Sequence, residues 1–393
     1  MTIKIEEMSS LDIEEYDTVI RMSNHGMRWH TLKWRKVLQR FTETMPIYLV
    51  AKLNGNIVGV LPSFLKKNAK YGNVINSLPF FGTHGGPVVK STIENQLQIK
   101  RRLLLAFKDL AKENDCISST LITTPFENSS NFIQETLKPA FIDSRITQIT
   151  TFPKTDNIEK TIMYTVEKRC RNAIRKAQKS GIEVGFVEDI GYAKILFEMH
   201  KEGMEKKAGI VKPWRFFEIL FEEFPMGQSS NVKILFAWKN NEIIAGLLLT
   251  YYKNIVDYFT PAFKAEYSSL QPNTLLIFEA MKDALKNGYN IWNFGGGDRF
   301  SGVYKFKQSW GAKDYPYQYF INIYKDIGEL QKLSIEEILS EYRWFYVFPF
   351  KRKKCPQCGR EIPDVVYDAK FTSAEGIPDI CPFCGCDLWM YKS

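Results

Sequence analysis

The same local plan is spelled twice in this chain, and no other feature constrains the fold as tightly. Ile47–Lys52 reads as a strand, Asn54-Gly55 as a turn and Ile57–Leu61 as the return strand. Val232–Trp238 then leads through Asn240-Asn241 into Ile243–Leu249. The two stretches align at an offset of 187 residues, matching Asn54 to Asn241 and Gly59 to Gly246. Asn and Gly in a two-residue turn supply the positive φ values of a type I′ hairpin. Beyond each hairpin an amphipathic helix and a strand follow. The first helix is Gln96–Asn114, with Leu103, Ala106, Phe107 and Leu110 on one face, before the strand Ile117–Ile122. The second is Pro272–Asn287, with Ile277, Met281, Ala284 and Leu285 inward, capped by Gly288 before the strand Ile291–Phe294. The repetition implies tandem α/β domains of like topology with mixed central sheets.

A chain of 393 residues has room for two or three such domains. Its 45% hydrophobic and 25% charged residues exclude a largely disordered chain. No apolar run approaches the ~20 residues of a membrane helix. The first residues contain no apolar stretch of signal-peptide type, so a cytoplasmic location is expected. The formal charge of +9 suggests a polyanionic partner, although a basic soluble protein would also carry it.

Five of the seven cysteines fall in the last 39 residues. They form Cys355-Pro-Gln-Cys358-Gly and Cys381-Pro-Phe-Cys384-Gly-Cys386. Two C-x-x-C pairs at this separation read as a tetrahedral site for a structural Zn²⁺, with Cys355, Cys358, Cys381 and Cys384 as ligands. Cys386 is a spare thiol or a substitute for Cys384. The stretch is similar to a zinc ribbon, a module the metal itself holds together because so few residues bury too little surface. Cys116 and Cys170 are isolated and read as structural.

Glu167–Gly181 carries six positive charges and one negative. As a helix it aligns Lys168, Arg171, Arg175 and Lys179 along one stripe, with Ala173, Ile174 and Ala177 as apolar contacts. Such a stripe is either a solvated face or a phosphate-facing, nucleic-acid-binding surface. A further helix is expected over Leu330–Glu341, ending in Trp344-Phe-Tyr-Val-Phe-Pro-Phe-Lys-Arg-Lys-Lys354. Those aromatics either pack on the body or make a peripheral contact with an anionic membrane.

Several segments together resemble a known group. They are Asn24-His25 with Trp29–Trp34, Ser77–Gly82 with Gly85-Gly-Pro87, and the basic stretch from Arg171. The strongest is Phe294-Gly-Gly-Gly-Asp298, followed by Gly302-Val-Tyr-Lys-Phe-Lys307 and Trp310-Gly311. Over roughly residues 10 to 325 the chain resembles the Fem-like transferases and their BioF2-like relatives, a branch of the GNAT superfamily. The resemblance implies two GNAT-like domains, here 1–155 and 156–328. A linker, 329–350, and the zinc ribbon, 351–393, complete the chain. It also implies amide-bond formation, with aminoacyl-tRNA as donor in some members and acyl-CoA in others. The ribbon departs from the family pattern.

Acyl transfer to an amine needs a neutral amine, a stabilised carbonyl oxygen and a protonated leaving group. No Ser/His/Asp arrangement is evident, which points to direct transfer. By the resemblance, Lys307 is the cation at the reacting carbonyl or a nearby phosphate, with Phe306 packing or stacking beside it. Lys305 would share a face with Lys307 on an extended chain and diverge from it on a helix. Asp298 follows a strand and three glycines, so it accepts a proton, or merely orients the amine, or simply caps the next helix or turn. Gly295-Gly-Gly297 could let a substrate approach the backbone. Arg299, His84, Trp214, Tyr258 and Asn273 are the remaining substrate-binding candidates. His84 sits in a glycine-flanked turn, and the last three fall where the family has pocket residues. No copy of the R/Q-x-x-G-x-G/A pyrophosphate loop of CoA-using GNAT enzymes is found. That absence, the basic helix and the charge favour aminoacyl-tRNA as donor. The rivals are acyl-CoA-dependent N-acylation of an amino sugar or amino acid, and a non-catalytic RNA- or protein-binding module.

Overall fold

Both hairpins form. Leu49–Leu53 pairs antiparallel with Asn56–Leu61, and Val232–Lys239 with Glu242–Tyr252. Asn54, Gly55, Asn240 and Asn241 all have positive φ, as the turn type demands. Each hairpin carries a register shift just before its turn, at Ala51/Lys52 and at Ala237/Trp238. Turns and shifts superpose at an offset of 186, one residue from the offset read in the sequence. Asn54-Gly55 therefore corresponds to Asn240-Asn241, and Gly59 to Ala245 rather than Gly246.

The computed structural model describes residues 3–80, 83–206, 211–226, 231–297, 301–354, 357–358, 361–365, 384 and 386. The chain divides into two compact units, residues 1–146 with 316–393, and residues 147–315. The expected boundaries at 155/156 and 328/329 are displaced for a physical reason. Thr147–Thr151 pairs with the strand Ile291–Gly296 of the second unit. Tyr319–Ile323 pairs with Ser118–Ile122 of the first.

In the first unit one antiparallel sheet runs in the order Ile3–Glu7, Leu49–Leu53, Asn56–Leu61, Val88–Val89. A second runs Met45–Pro46, Phe64–Lys66, Asn73–Asn76, Cys116–Ile122, Tyr319–Ile323, with the third and fourth parallel. Helix Gln96–Glu113 buries Ile99, Leu103, Leu104, Phe107 and Ala111 in this unit's core. The helix expected over Leu330–Glu341 is two pieces, Gly328–Gln331 and Ile335–Glu341. Ser334 breaks it by capping the second piece, its Oγ accepting from the Glu337 N–H at 3.2 Å. Phe345, Tyr346, Val347 and Phe348 are buried in the first unit. Phe80 N donates to Trp344 O at 2.8 Å, and Ser118 Oγ to Val347 O at 2.7 Å. Of the two alternatives read from the sequence, these aromatics thus take the packing one, and the four buried side chains are not available to a membrane surface. Among the described residues no helix is long and apolar enough to cross a membrane.

In the second unit a single sheet runs Glu183–Val187, Val232–Lys239, Glu242–Tyr252, Ile255–Phe263, Ile291–Gly296, Thr147–Thr151. Only Ile255–Phe263 and Ile291–Gly296 run parallel. Parallel neighbours need a crossover, and helix Pro272–Lys286 supplies it. It buries Leu275, Leu276, Ile277, Phe278, Ala280, Met281 and Ala284. The two units thus repeat a hairpin, a crossover helix and a parallel pair. The first splits its strands between two sheets, whereas the second keeps one.

The tail opens with a hairpin, Pro349–Lys354 paired with Glu361–Val365, and Cys358 lies in the turn between them. Cys355 and Cys381 lie outside the described residues. Among the described residues no group of three or more His, Cys, Asp or Glu is arranged to hold a metal.

Candidate active site

The parallel strands of the second unit pair only from Ile255↔Ile291 to Asp257↔Asn293. Beyond that point Tyr258–Phe263 stays with Glu242–Tyr252, while Gly296 pairs with Thr147 on the opposite side. The strands therefore fork. Among the described residues no strand pairs between the two diverging segments.

The fork is organised by one amide. Asn293 Nδ2 donates to Asp257 Oδ1 at 2.7 Å. Thr147 Oγ1 and the Gly295 N–H both donate to Asn293 Oδ1, at 2.7 and 3.0 Å. Thr147, Asp257 and Asn293 are all buried. An Asn that accepts from the N–H two residues on closes an Asx-turn. Here the turn carries Gly295 to a φ of 73°, which glycine adopts without a Cβ penalty.

Lys307 lies in the helix Gly302–Ser309, whose N-cap Ser301 accepts from the Tyr304 N–H through Oγ at 3.1 Å. It is not a surface lysine: only 5% of it is exposed. Its Nζ donates to Gly295 O at 3.0 Å and to Gly296 O. A Cβ at Gly297 would lie 3.4 Å from the same nitrogen. Of the three glycines, Gly295 supplies the positive φ and Gly297 is the one whose Cβ would meet the ammonium. Lys305, two positions earlier on the helix, is exposed, so the two lysines diverge. Phe306 packs against the unit's core with its ring 6.4 Å from that of Trp310.

Tyr258 and Asn273 come together beside the fork. Asn273 Nδ2 donates to Tyr258 Oη at 3.1 Å, and the Tyr258 ring meets Phe294 edge-on at 5.5 Å. Burial pushes the Tyr258 phenol pKa up. Trp214 instead joins an aromatic cluster with Phe197 and Phe217, and Lys194 Nζ sits 4.4 Å above its ring. His84 belongs to the first unit. It is 3% exposed, its ring lies 4.6 Å edge-on from Tyr317, and its Nδ1 is 2.8 Å from Thr123 O. Burial pushes its pKa down to about 4, so it is a neutral interior group. Asp298 and Arg299 lie outside the described residues.

The basic helix, Lys168–Gln178, is attached to the lysine helix. Glu167 N donates to Ser309 O at 2.8 Å, and Arg169 Nη2 donates to Lys305 O. Lys168, Arg175 and Lys179 are exposed, while Cys170, Ile174 and Ala177 face inward. Arg171 leaves the expected stripe. Its Nη1 donates to Met163 O at 3.1 Å and to Val166 O, serving carbonyls at the end of helix Ile158–Thr165. Cys116 and Cys170 are buried, and burial pushes both thiols up to about 12, which suits inert packing residues.

Sequence reasoning missed Thr147, Asp257 and Asn293. The available signal was Asn293 two residues before Gly295 at a strand end, a pattern that favours an Asx-turn.

No curated protein matches the chain. Among solved structures, FemX is 16% identical with a TM-score of 0.65, over 84% of this chain and 99% of that one. A conserved protein of unknown function from Bacteroides thetaiotaomicron is 11% identical with a TM-score of 0.53, over 82% of this chain and 100% of that one. At these identities the likeness is one of fold. Residues 165–308, which include the basic helix, the fork and the lysine helix, match the family model of the acetyltransferase (GNAT) domain.

Proposed function

We propose that the protein is an N-acyltransferase that forms an amide bond at the fork of the second unit. The observation that carries this reading is the fork between two parallel strands beside a buried, backbone-held lysine, all within the matched acetyltransferase domain. An extended acyl donor could lie in the fork between the two strands. Its ester or thioester carbonyl would then lie near the Lys307 turn, where fixed positive charge favours the developing oxyanion. The neutral amine attacks, the C–N bond forms, and the C–O or C–S bond breaks. The amine proton passes to a base, for which Asp298 is the candidate by resemblance, and the leaving alcohol or thiol takes up a proton.

For the donor we favour aminoacyl-tRNA over acyl-CoA. Lys168, Arg175 and Lys179 present an exposed cationic face on a helix fastened to the one carrying Lys307. Phosphate neutralisation releases counterions, so tRNA binding should weaken steeply with salt. Reversing the charge at Lys168, Arg175 and Lys179 should flatten the log–log salt slope by about 2–3, at ~0.7–0.9 per lost contact. Arg171→Glu is excluded from that set because it would unfasten a helix end. Binding of acyl-CoA, with no tRNA affinity at low salt, would move the assignment to acyl-CoA-dependent acylation of an amino sugar or amino acid.

The tail is proposed to hold a structural Zn²⁺ through Cys355, Cys358, Cys381 and Cys384. Two features support this: the four-thiol donor set at C-x-x-C spacing, and the hairpin turn that carries Cys358.

A further inference from the structure

The buried Lys307 ammonium has a buried carboxylate as its counterpart in the same hydrogen-bonded chain. From Asp257 Oδ1 the chain runs to Asn293 Nδ2 at 2.7 Å, and from Asn293 Oδ1 to the Gly295 N–H at 3.0 Å. It leaves the same peptide segment through the Gly295 and Gly296 carbonyls and ends on Lys307 Nζ. Both ends are 5% exposed.

The Asn293 amide can stand only one way round. Its oxygen faces two donors, Thr147 Oγ1 and Gly295 N–H, and its nitrogen faces a carboxylate oxygen. A flipped amide would set donor against donor and oxygen against oxygen. The Asp257 carboxylate thus selects the orientation of Asn293, and Asn293 selects the left-handed turn at Gly295. That turn aims two carbonyls at the ammonium. We propose that Asp257 and Asn293 are positioning residues for Lys307, fixing its ammonium at the mouth of the fork through the glycine turn. The catalytic meaning of that position rests on the acyltransferase reading, whereas the positioning itself does not.

The test uses the full-length protein and the reactivity of lysine toward formaldehyde with cyanoborohydride, read for each lysine by peptide mass spectrometry. Exposed Lys305 is the internal standard. In the natural protein Lys307 should be methylated at least ~10-fold more slowly than Lys305, as expected of a buried, hydrogen-bonded ammonium. Asp257→Ala and Asn293→Ala should bring Lys307 to within about threefold of Lys305. Asp257→Asn, which keeps an oxygen for the Asn293 N–H, should restore most of the protection. Met281→Ala removes a core side chain of the crossover helix and reports general loosening. If it exposes Lys307 as much as Asp257→Ala does, the proposal is overturned, as it is if neither alanine variant accelerates labelling. Should the alanine variants fail to fold, Thr147→Val deletes one of the two donors to Asn293 and should give partial acceleration. No acceleration there also overturns the proposal. Turnover separates the two readings. Accelerated labelling with undiminished turnover sustains the positioning role and sinks the catalytic reading of Lys307.

Discussion

Replacing Lys307 by Met keeps the length of the side chain and deletes its charge, and the structure says what that must cost. The ammonium is 5% exposed and donates to Gly295 O and Gly296 O. Hydrogen bonds to a charged group contribute ~1.5–3 kcal/mol each. Relief of the ammonium's desolvation, on the order of several kcal/mol, offsets much of that sum. The expected balance is a loss of about 1–3 kcal/mol, or a fall of roughly 3–10 °C in the melting transition that contains the second unit, at ~2–4 °C per kcal/mol. Turnover should fall further in proportion, by ~10²–10³-fold, because the charge acts on the transition state. The loss should appear in kcat more than in KM. Lys307→Arg retains charge and donors but brings a wider head against Gly297, so it should recover stability before activity. Lys305→Met, on the exposed side of the same helix, should change stability by less than ~0.5 kcal/mol. Scanning fluorimetry and initial-rate kinetics on the three variants decide the matter. A Lys307→Met protein that melts and turns over like the natural one refutes the reasoning at its root, since its ammonium would then hold nothing.

Two further outcomes are open to direct measurement. His84 and His200 are pushed by burial down to about 4 and about 3 from an unfolded value of 6.5. The unfolded chain therefore takes up protons first, and stability, complete above pH 6.5, falls as pH drops toward the folded values, by about 2 kcal/mol per histidine at pH 5. Denaturant midpoints at pH 7.5 and 5 should show that difference shrinking by ~2 kcal/mol in His84→Gln. An unchanged difference would place His84 in a solvated setting. For the tail, protein purified without chelators should contain about one zinc per chain by elemental analysis, and Cys355→Ser should lose it while the melting of the two units persists. Zinc-free protein would end the ribbon assignment.

What was legible in the sequence was local. The Asn54-Gly55 and Asn240-Asn241 turns, the crossover helix from Pro272 and the strand at Ile291 all follow from turn chemistry and 3.6-residue periodicity. The one-residue error in the repeat offset arose because Asn54 was matched by residue type to Asn241, although either Asn of the second turn could correspond to it. The unit boundaries were hidden for a different reason. Tyr319–Ile323 finds its partner about 200 residues back, at Ser118–Ile122, and no local signal announces a pairing of that range. The break at Ser334 was readable, since Ser334 and Glu337 spell a capping box, yet the apolar spacing of Leu330, Ile335 and Ile338 reads straight through it.

The site shows why residue type alone misplaced Arg171 and did not announce the burial of Lys307. Both are long cations in stretches rich in exposed charge, and composition puts such residues in water. What draws them inward is backbone. Arg171 serves carbonyls at a helix end, and Lys307 serves the carbonyls of a glycine turn. Carbonyls left without intrachain partners at an element's end are strong acceptors. A cation one or two turns away in sequence or space is the cheapest way to satisfy them. On this argument Phe294-Gly-Gly-Gly297 and Gly302–Lys307 are not two motifs that happen to be neighbours. The glycines allow the backbone to turn around an ammonium, and the helix begun at Ser301 is of the length that delivers one. A substitution that respects either segment alone, such as a β-branched residue at Gly297 or a one-residue insertion ahead of Lys307, should therefore disturb the other.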